Sequence, residues 1–472
     1  MENKQNLGVG QEVTFQEIPL GDLQLSDFWS MTPEQWESTL VQAIFETHAW
    51  HYSRNKAYQH IVAARGIGPT VNRNDLPRLL RPTAQTFKSY IETLGTPFPQ
   101  ELPHSFLDWL ADQLSVELPR ERFNRFQKRY RSLEALLQEI EEAFAEFSFE
   151  VSTSSGTSGR STIMVRNQYD IDKTVESFYL AFQRYLGMQA DHQAIFVMPQ
   201  ETRIAMVRMA SFSVKRVGLS ENQIHFTIPF PAYPDQVRIQ AGRTFREGWQ
   251  GGVERRVLHP FMNWANEHYV MPKAIQQTIC LLKEVESSGE KALLFGGWVQ
   301  LHAIALELQK ENRKIQLAPD SLLGTGGGFK QHYPFSQAQI RQELENVFEL
   351  SNGQPIQIRD VYGMAEGNWA AIQCHQGNYH VPPWIFAVTL DEDDQFQEAT
   401  DDSGILAFYD PYAGGQLFPS FFKSADRVRL INGSGGYDYK KTCSCGEIGA
   451  YIARESIQRV DLLDEAGCAA QI

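Results

Sequence analysis

The chain has 472 residues, 42% of them hydrophobic, which is enough to bury a large core in two or three packed units. Lys and Arg total 43 against 57 Asp and Glu, a formal charge of -14 that argues against a nucleic-acid backbone as the main partner and leaves open a local positive site for a nucleotide. No apolar run is long enough to span a bilayer, and five cysteines are too few for a disulfide framework, so a cytoplasmic protein is expected.

Residues 1–150 read as a mostly helical N-terminal region with a loose arm at its start. TPEQWESTLVQAIFETHAWHYSRN has Thr32 as a helix-start residue with Glu34 and Gln35 in the first turn, and its apolar positions recur at helical spacing. Two prolines in DLPRLLRPTAQTFKSY interrupt the pattern, which HSFLDWLADQL and the long run RERFNRFQKRYRSLEALLQEIEEAFAEF resume. The Phe and Trp stripes here have the spacing of a buried face and predict packing.

The character changes at VSTSSGTSGRSTIMVR, residues 151–166. Hydroxyls at Ser154, Ser155, Thr157 and Ser158 alternate with Gly156 and Gly159, a composition that lets backbone N–H groups and side-chain donors converge on phosphate oxygens. It is not the Walker loop, because Gly159 is followed by Arg160 where that pattern needs lysine. A Ser/Gly-rich surface linker is the alternative, and STIMVR, a short strand ending at Arg166, argues against it by placing the loop at an element boundary.

From 151 to 430, strand-like runs (QAIFVM, QIHFTI, KALLFG, IQLA, IQIRDVYG, ILAFYD) alternate with helical ones, SQAQIRQELENVFEL among them. This predicts a layered α/β core with a largely parallel sheet and a site at the carboxyl ends of its strands. Residues 431–472 form a cysteine-containing region and a short tail.

TSSGTSG, YGMAE at 362–366 and SADRVR at 424–429, in that order, resemble the signatures of the adenylate-forming superfamily, the acyl-CoA synthetases and related ligases. FGGW at 295–298, GTGGGFK at 324–330 and CSCG at 443–446 are most similar to the phenylacetate-CoA ligase branch and to the acyl-protein synthetase of bacterial bioluminescence. The resemblance spans roughly residues 40–465 and implies a helical preamble on an adenylate-forming N-terminal domain. It also implies ATP-dependent activation of a carboxylic acid to an acyl-adenylate, with Mg²⁺ as cofactor.

The residues can be assigned on that basis. The 154–159 loop would hold the β- and γ-phosphates. YGMAE follows IQIRD, which predicts a turn beyond a strand end from Asp360 to Glu366; Tyr362 and Gly363 would lie against adenine, and Glu366 would coordinate Mg²⁺. The position before Glu366 is usually threonine in the family and contacts the α-phosphate; here it is Ala365, which makes a lapsed nucleotide-binding or scaffold protein an alternative. Asp426 would accept from both ribose hydroxyls, as a carboxylate can. QRVD resembles the family hinge motif with Gln458 in place of glycine, giving Arg459 a ribose or phosphate contact and Asp461 a hinge role. Gly326, Gly327 and Gly328 allow close backbone approach to a flat ligand and are adenine-pocket candidates, while Trp298 either lines the acyl channel or plugs a helix against the sheet.

Cys374, His380, Cys443 and Cys445 supply four soft ligands in two loops and predict a structural Zn²⁺. The resemblance also implies a small mobile domain after the hinge, and with Ile472 following closely on Asp461 that domain is expected to be absent or vestigial. The acceptor is therefore expected to be a protein thiol or another nucleophile, with CoA as the alternative, and Cys468 is a candidate for covalent relay. Oligomer formation is left open.

Overall fold

The computed structural model describes residues 18–154, 161–244, 246–328, 333–397, 403–434, 438 and 441–460. The 155–159 part of the phosphate loop, Asp461 and Cys468 lie outside the described residues.

One sheet runs through the molecule, in the order Phe386–Leu390, Ser403–Tyr409, Phe421–Ile431, Tyr451–Ile452, Tyr379–His380, Ala370–Gln373, Gln357–Gly363, Leu322–Gly326, Lys291–Gly296, His192–Pro199, Ile224–Ile228. Its last five strands are parallel neighbours, and from Ala370–Gln373 back to Phe386–Leu390 every neighbouring pair is antiparallel. The parallel half matches the expected alternation of strand and helix. The antiparallel half corrects the expectation of a largely parallel sheet: ILAFYD lies in Ser403–Tyr409, which pairs antiparallel with the strands before and after it in sequence, Phe386–Leu390 and Phe421–Ile431.

IQLA, by contrast, lies outside the main sheet. Ile315–Leu317 pairs with Phe348–Leu350, the end of the run read as one helix, SQAQIRQELENVFEL. The β-branched and aromatic residues at that end turn strand-like once Ile315, Leu317 and Phe348 can be buried together.

Thr32 caps the helix Pro33–Tyr52 as expected, in a reciprocal capping box with Gln35. The long run 120–147 is not one helix. A short helical turn at Arg120–Arg125 gives way to an irregular stretch, and Ser132 caps a new helix, Leu133–Ala143, by accepting from the Ala135 N–H. The break folds the chain back so that the Phe144 ring meets those of Phe123 and Phe126, each at 6.2 Å, where a straight helix would hold them about 30 Å apart along its axis.

These N-terminal helices do not build a core of their own. Ile44, Tyr58, Phe106 and Leu137 share one continuous cluster with Trp384, Tyr409 and Phe421 of the antiparallel half. Two further clusters lie around the parallel strands, one about Trp298 and Leu323 and the other about Phe196 and Ile204. The site therefore sits where the two halves of the sheet meet. Among the described residues no helix is long and apolar enough to cross a membrane.

Candidate nucleotide and metal sites

The strand Glu150–Thr153 leads into the loop and Ile163–Arg166 leads out, paired antiparallel from Glu150↔Arg166 to Thr153↔Ile163. The hairpin is closed at its mouth: the Ser154 N–H donates to the Thr162 carbonyl at 3.1 Å and the Thr162 N–H to Ser154 Oγ at 2.9 Å. A donor-rich loop is thus held on a fixed base. From that base Thr162 Oγ1 donates to Glu366 Oε1 at 2.6 Å, across more than two hundred residues of sequence.

Sequence reasoning placed Asp360 to Glu366 in a turn, but Gln357–Gly363 is strand throughout and only Met364, Ala365 and Glu366 lie beyond it. The strand pairs with Leu322–Gly326 in register Asp360↔Thr325 and Val361↔Gly326, which brings the glycine cluster beside Tyr362. Gly327 and Gly328 have φ of +83° and +75°, where a side chain would be strained, so glycine is required for the chain to leave the strand in this direction. A Cβ on Gly326 would sit 3.3 Å from the Val361 carbonyl oxygen.

Tyr362 donates its phenol proton to Asp426 Oδ2 at 2.7 Å. Asp426 is in turn directly opposite Arg459 in an antiparallel pair, so three separated segments converge on one carboxylate. Burial pushes the Asp426 carboxyl up from its ordinary value, while the Tyr362 hydrogen bond and the Arg459 charge pull it down. Burial and the neighbouring Asp426 together hold Tyr362 well above the usual phenol range, so it stays a donor.

Asp360 is turned inward. Its Oδ2 accepts from Tyr379 OH at 2.6 Å, and burial pushes it up to about 6. Trp298 is fully enclosed in the cluster beneath the parallel strands, with the Arg341 guanidinium 5.0 Å over its ring, which is the packing alternative for that residue.

A residue that sequence reasoning left without a role organises the turn. Arg166 is completely buried and donates to Ser152 Oγ at 2.7 Å, to Asn368 Oδ1 at 2.8 Å and to the Ala365 carbonyl at 2.9 Å. It ties the phosphate hairpin to both flanks of Glu366. Burial lowers its pKa to about 10, still far above neutral, with Asp170 and Glu366 opposing the shift. Arginine at the end of an apolar strand was the available signal.

Cys374, His380, Cys443 and Cys445 come together as their spacing predicts, with all four ligand atoms within 4.8 Å of one another. Cys374 Sγ is 3.9 Å from Cys443 Sγ, and Cys445 Sγ is 3.3 Å from His380 Nε2. A tetrahedron with metal–sulfur bonds of about 2.3 Å and metal–nitrogen bonds of about 2.0 Å has edges of about 3.8 and 3.5 Å, so the donor set fits Zn²⁺ in size and chemistry. Tyr185 stacks on the His380 ring at 5.2 Å and fixes its orientation.

The family model "Acyl-protein synthetase, LuxE" matches residues 264–472. The chain is 24% identical over 406 residues to a long-chain-fatty-acid–luciferin-component ligase of Vibrio harveyi, covering 84% of this chain and 81% of that protein. It is 26% identical over 153 residues to the protein of the same description from Aliivibrio fischeri, covering 32% of this chain and 39% of that one. A solved 2-hydroxyisobutyryl-CoA ligase, in complex with 2-HIB-AMP and CoA, superposes with a TM-score of 0.48 at 12% identity, covering 96% of this chain and 76% of that chain.

Proposed function

We propose that this chain is a member of the adenylate-forming superfamily that uses ATP to activate a carboxylic acid as its acyl-adenylate and passes the acyl group to a nucleophile. The observation that carries the reading is the Thr162–Glu366 contact beside the Tyr362–Asp426 pair. It joins a loop composed for phosphate to a hard carboxylate on one side and to a ribose acceptor on the other.

In this reading the 154–159 loop holds the β- and γ-phosphates. Gly326 to Gly328 and the Tyr362–Gly363 strand end enclose the adenine, Asp426 accepts from the ribose hydroxyls, and Arg459 offsets charge on ribose or phosphate. Glu366 would hold Mg²⁺, which when bound draws charge from the phosphate oxygens. Thr162 occupies only one oxygen of Glu366, and the carboxylate is partly exposed beside the loop, so the residues present fit that role. The acid's carboxylate attacks the α-phosphorus, the bond to the bridging oxygen breaks, and pyrophosphate leaves; bringing two anions together is the main barrier, and fixed donors lower it. Ala365 supplies its backbone carbonyl to Arg166 and no hydroxyl to the α-phosphate.

The acceptor we favour is a protein thiol or other partner-borne nucleophile, in keeping with the family model's description and the luciferin-component ligases. The experiment is acid-dependent exchange of pyrophosphate into ATP across short, aromatic and long-chain acids. It is followed by comparison of CoA, hydroxylamine and candidate carrier proteins as acceptors, with intact mass to detect acylated chain. Exchange with partner-dependent turnover is expected, and a mass increase lost in Cys468→Ala would mark covalent relay. Nucleotide binding without exchange for any acid would leave the lapsed-enzyme reading, and rapid acyl-CoA formation by this chain alone would overturn the acceptor.

We further propose that the Cys374–His380–Cys443–Cys445 cluster holds one structural Zn²⁺. It would staple the segment after Ala370–Gln373 to the loop before Tyr451–Ile452, next to Tyr379, the partner of Asp360. Protein purified without added metal should carry about one equivalent of zinc, Cys443→Ser should lose most of it together with thermal stability, and less than about a tenth of an equivalent in the wild type would reject the site.

A further inference from the structure

Two residues grip Asp360, and each stands immediately before a member of the cysteine–histidine cluster. Gln373, next to Cys374, accepts from the Asp360 N–H through its Oε1 at 3.3 Å. Tyr379, next to His380, donates its phenol proton to Asp360 Oδ2 at 2.6 Å. Gln373 is itself held on two sides. Its Oε1 accepts from Arg341 Nη2 at 2.6 Å, and its Nε2 donates to the Gly377 carbonyl, in the turn between Cys374 and His380, at 3.1 Å. The same turn is closed by the Cys374 N–H on the Asn378 carbonyl at 2.8 Å and by the Gly377 N–H on the Cys374 carbonyl at 2.9 Å, and Asn378 Nδ2 donates to Cys443 Sγ at 3.4 Å. One tight turn therefore touches the cluster on one side and Asp360 on the other.

Asp360 leads from there into the candidate nucleotide site. It opposes Thr325 one register step before Val361 meets Gly326, and Asp360 Oδ1 and Thr325 Oγ1 are both buried without a hydrogen-bond partner. Tyr362, which holds Asp426, follows Asp360 by two residues on the same strand and so lies on the same face of it. Tyr379–His380 is only two residues long, paired with Gln373 and Ile372 on one side and with Ile452 and Tyr451 on the other. So short a strand has little hold of its own. An ion that tied Cys374 and His380 to Cys443 and Cys445 would fix both ends of the turn and, with them, the two side chains that set Asp360.

We propose that the metal centre and the nucleotide site are thermodynamically linked through Gln373 and Tyr379, so that zinc on the cluster strengthens ATP binding and ATP strengthens zinc binding by the same factor. The linkage rests on the nucleotide and zinc sites proposed above. Gln373 and Tyr379 are positioning residues in it, acting through Asp360. A metal that only staples two segments would add stability and leave nucleotide affinity alone, which separates the two roles experimentally.

The test is calorimetric binding of Mg-ATP to the full chain, with no acid present so that no turnover follows, for protein loaded with zinc and for protein stripped of it. Removing zinc should weaken Mg-ATP binding about tenfold, within the usual range of coupling between sites. Saturating Mg-ATP should in turn make zinc about tenfold harder for a zinc-selective chromophoric chelator to withdraw, a readout that starts from the loaded protein and holds even where the stripped chain melts early. Tyr379→Phe, which removes one oxygen, should keep its zinc, raise KM for ATP with kcat held within about twofold, and reduce both coupling effects to about threefold. Adding Gln373→Ala should bring them below about twofold. Zinc loss that lowers the melting temperature while Mg-ATP affinity stays constant overturns the linkage, as does full coupling in the double variant. Protein that binds Mg-ATP but takes up no zinc removes the metal site, and protein that holds zinc but binds no Mg-ATP removes the nucleotide site; either result overturns the linkage, each through a different measurement.

Discussion

Glu366→Gln is expected to lower acid-dependent exchange of pyrophosphate into ATP by about 10²- to 10³-fold, a loss typical of removing one charge-stabilising group from a transition state. The substitution conserves shape. A glutamine oxygen can still accept from Thr162 Oγ1, so the hairpin base and the turn keep their contact, and because Glu366 is only partly buried the stability change should stay within about 0.5 kcal/mol. What disappears is the anionic charge that suits a hard divalent cation. The loss should therefore fall mainly in kcat, with the apparent requirement for Mg²⁺ shifted to higher concentration and the melting temperature unmoved. An exchange rate equal to that of the wild type would remove Glu366 from the chemistry, and with it the phosphate-site reading of the Thr162–Glu366 contact.

The legible part of this chain was the part written in local chemistry. Thr32 with Gln35 announced a capping box, Ile195 and Leu294 lie in apolar runs bounded like parallel strands, and the spacing of Cys443 and Cys445 brought both thiols to Cys374 and His380. Where tertiary contacts overrode the local pattern, the reading failed. The 120–147 run has helical spacing throughout, yet the Phe144 ring can meet Phe123 and Phe126 only if the helix breaks before Ser132. Phe348–Leu350 looks like helix until Ile315–Leu317 is beside it. In the site, Tyr362 and Asp426 were each identifiable, but their hydrogen bond and the register of Asp426 with Arg459 depend on the order of strands, which no spacing encodes. Arg166 is the instructive omission. A buried arginine is tolerable only when several acceptors surround it, and those acceptors, Ser152, Asn368 and the Ala365 carbonyl, come from two distant segments.

That arrangement makes Arg166→Lys the substitution with the largest expected effect on stability and activity together. The guanidinium reaches Ser152, Asn368 and Ala365 with three different nitrogens in a rigid plane, whereas an ammonium offers one nitrogen at one point and cannot satisfy all three. At least one buried acceptor, and by geometry two, would be orphaned at a cost of about 1–3 kcal/mol each, giving a destabilisation of roughly 3 kcal/mol. The charge itself is conserved, so the neighbouring Asp170 still has a cation and the loss reflects positioning. With the Ala365 carbonyl released, the turn that carries Glu366 is no longer fixed against the phosphate hairpin. Exchange should then fall at least about tenfold, even at temperatures where the variant is fully folded, with the Mg²⁺ requirement raised in parallel. Arg81→Lys is the control. Arg81 is just as buried, between Tyr58 and Phe422, and its Nη2 donates to the Pro419 carbonyl at 2.6 Å, but it touches neither the hairpin nor the turn. It should lose stability and keep its exchange rate below its melting temperature. If the two variants lose activity only in proportion to the unfolded fraction, Arg166 is a structural arginine like Arg81 and the hairpin-to-turn clamp has no bearing on catalysis.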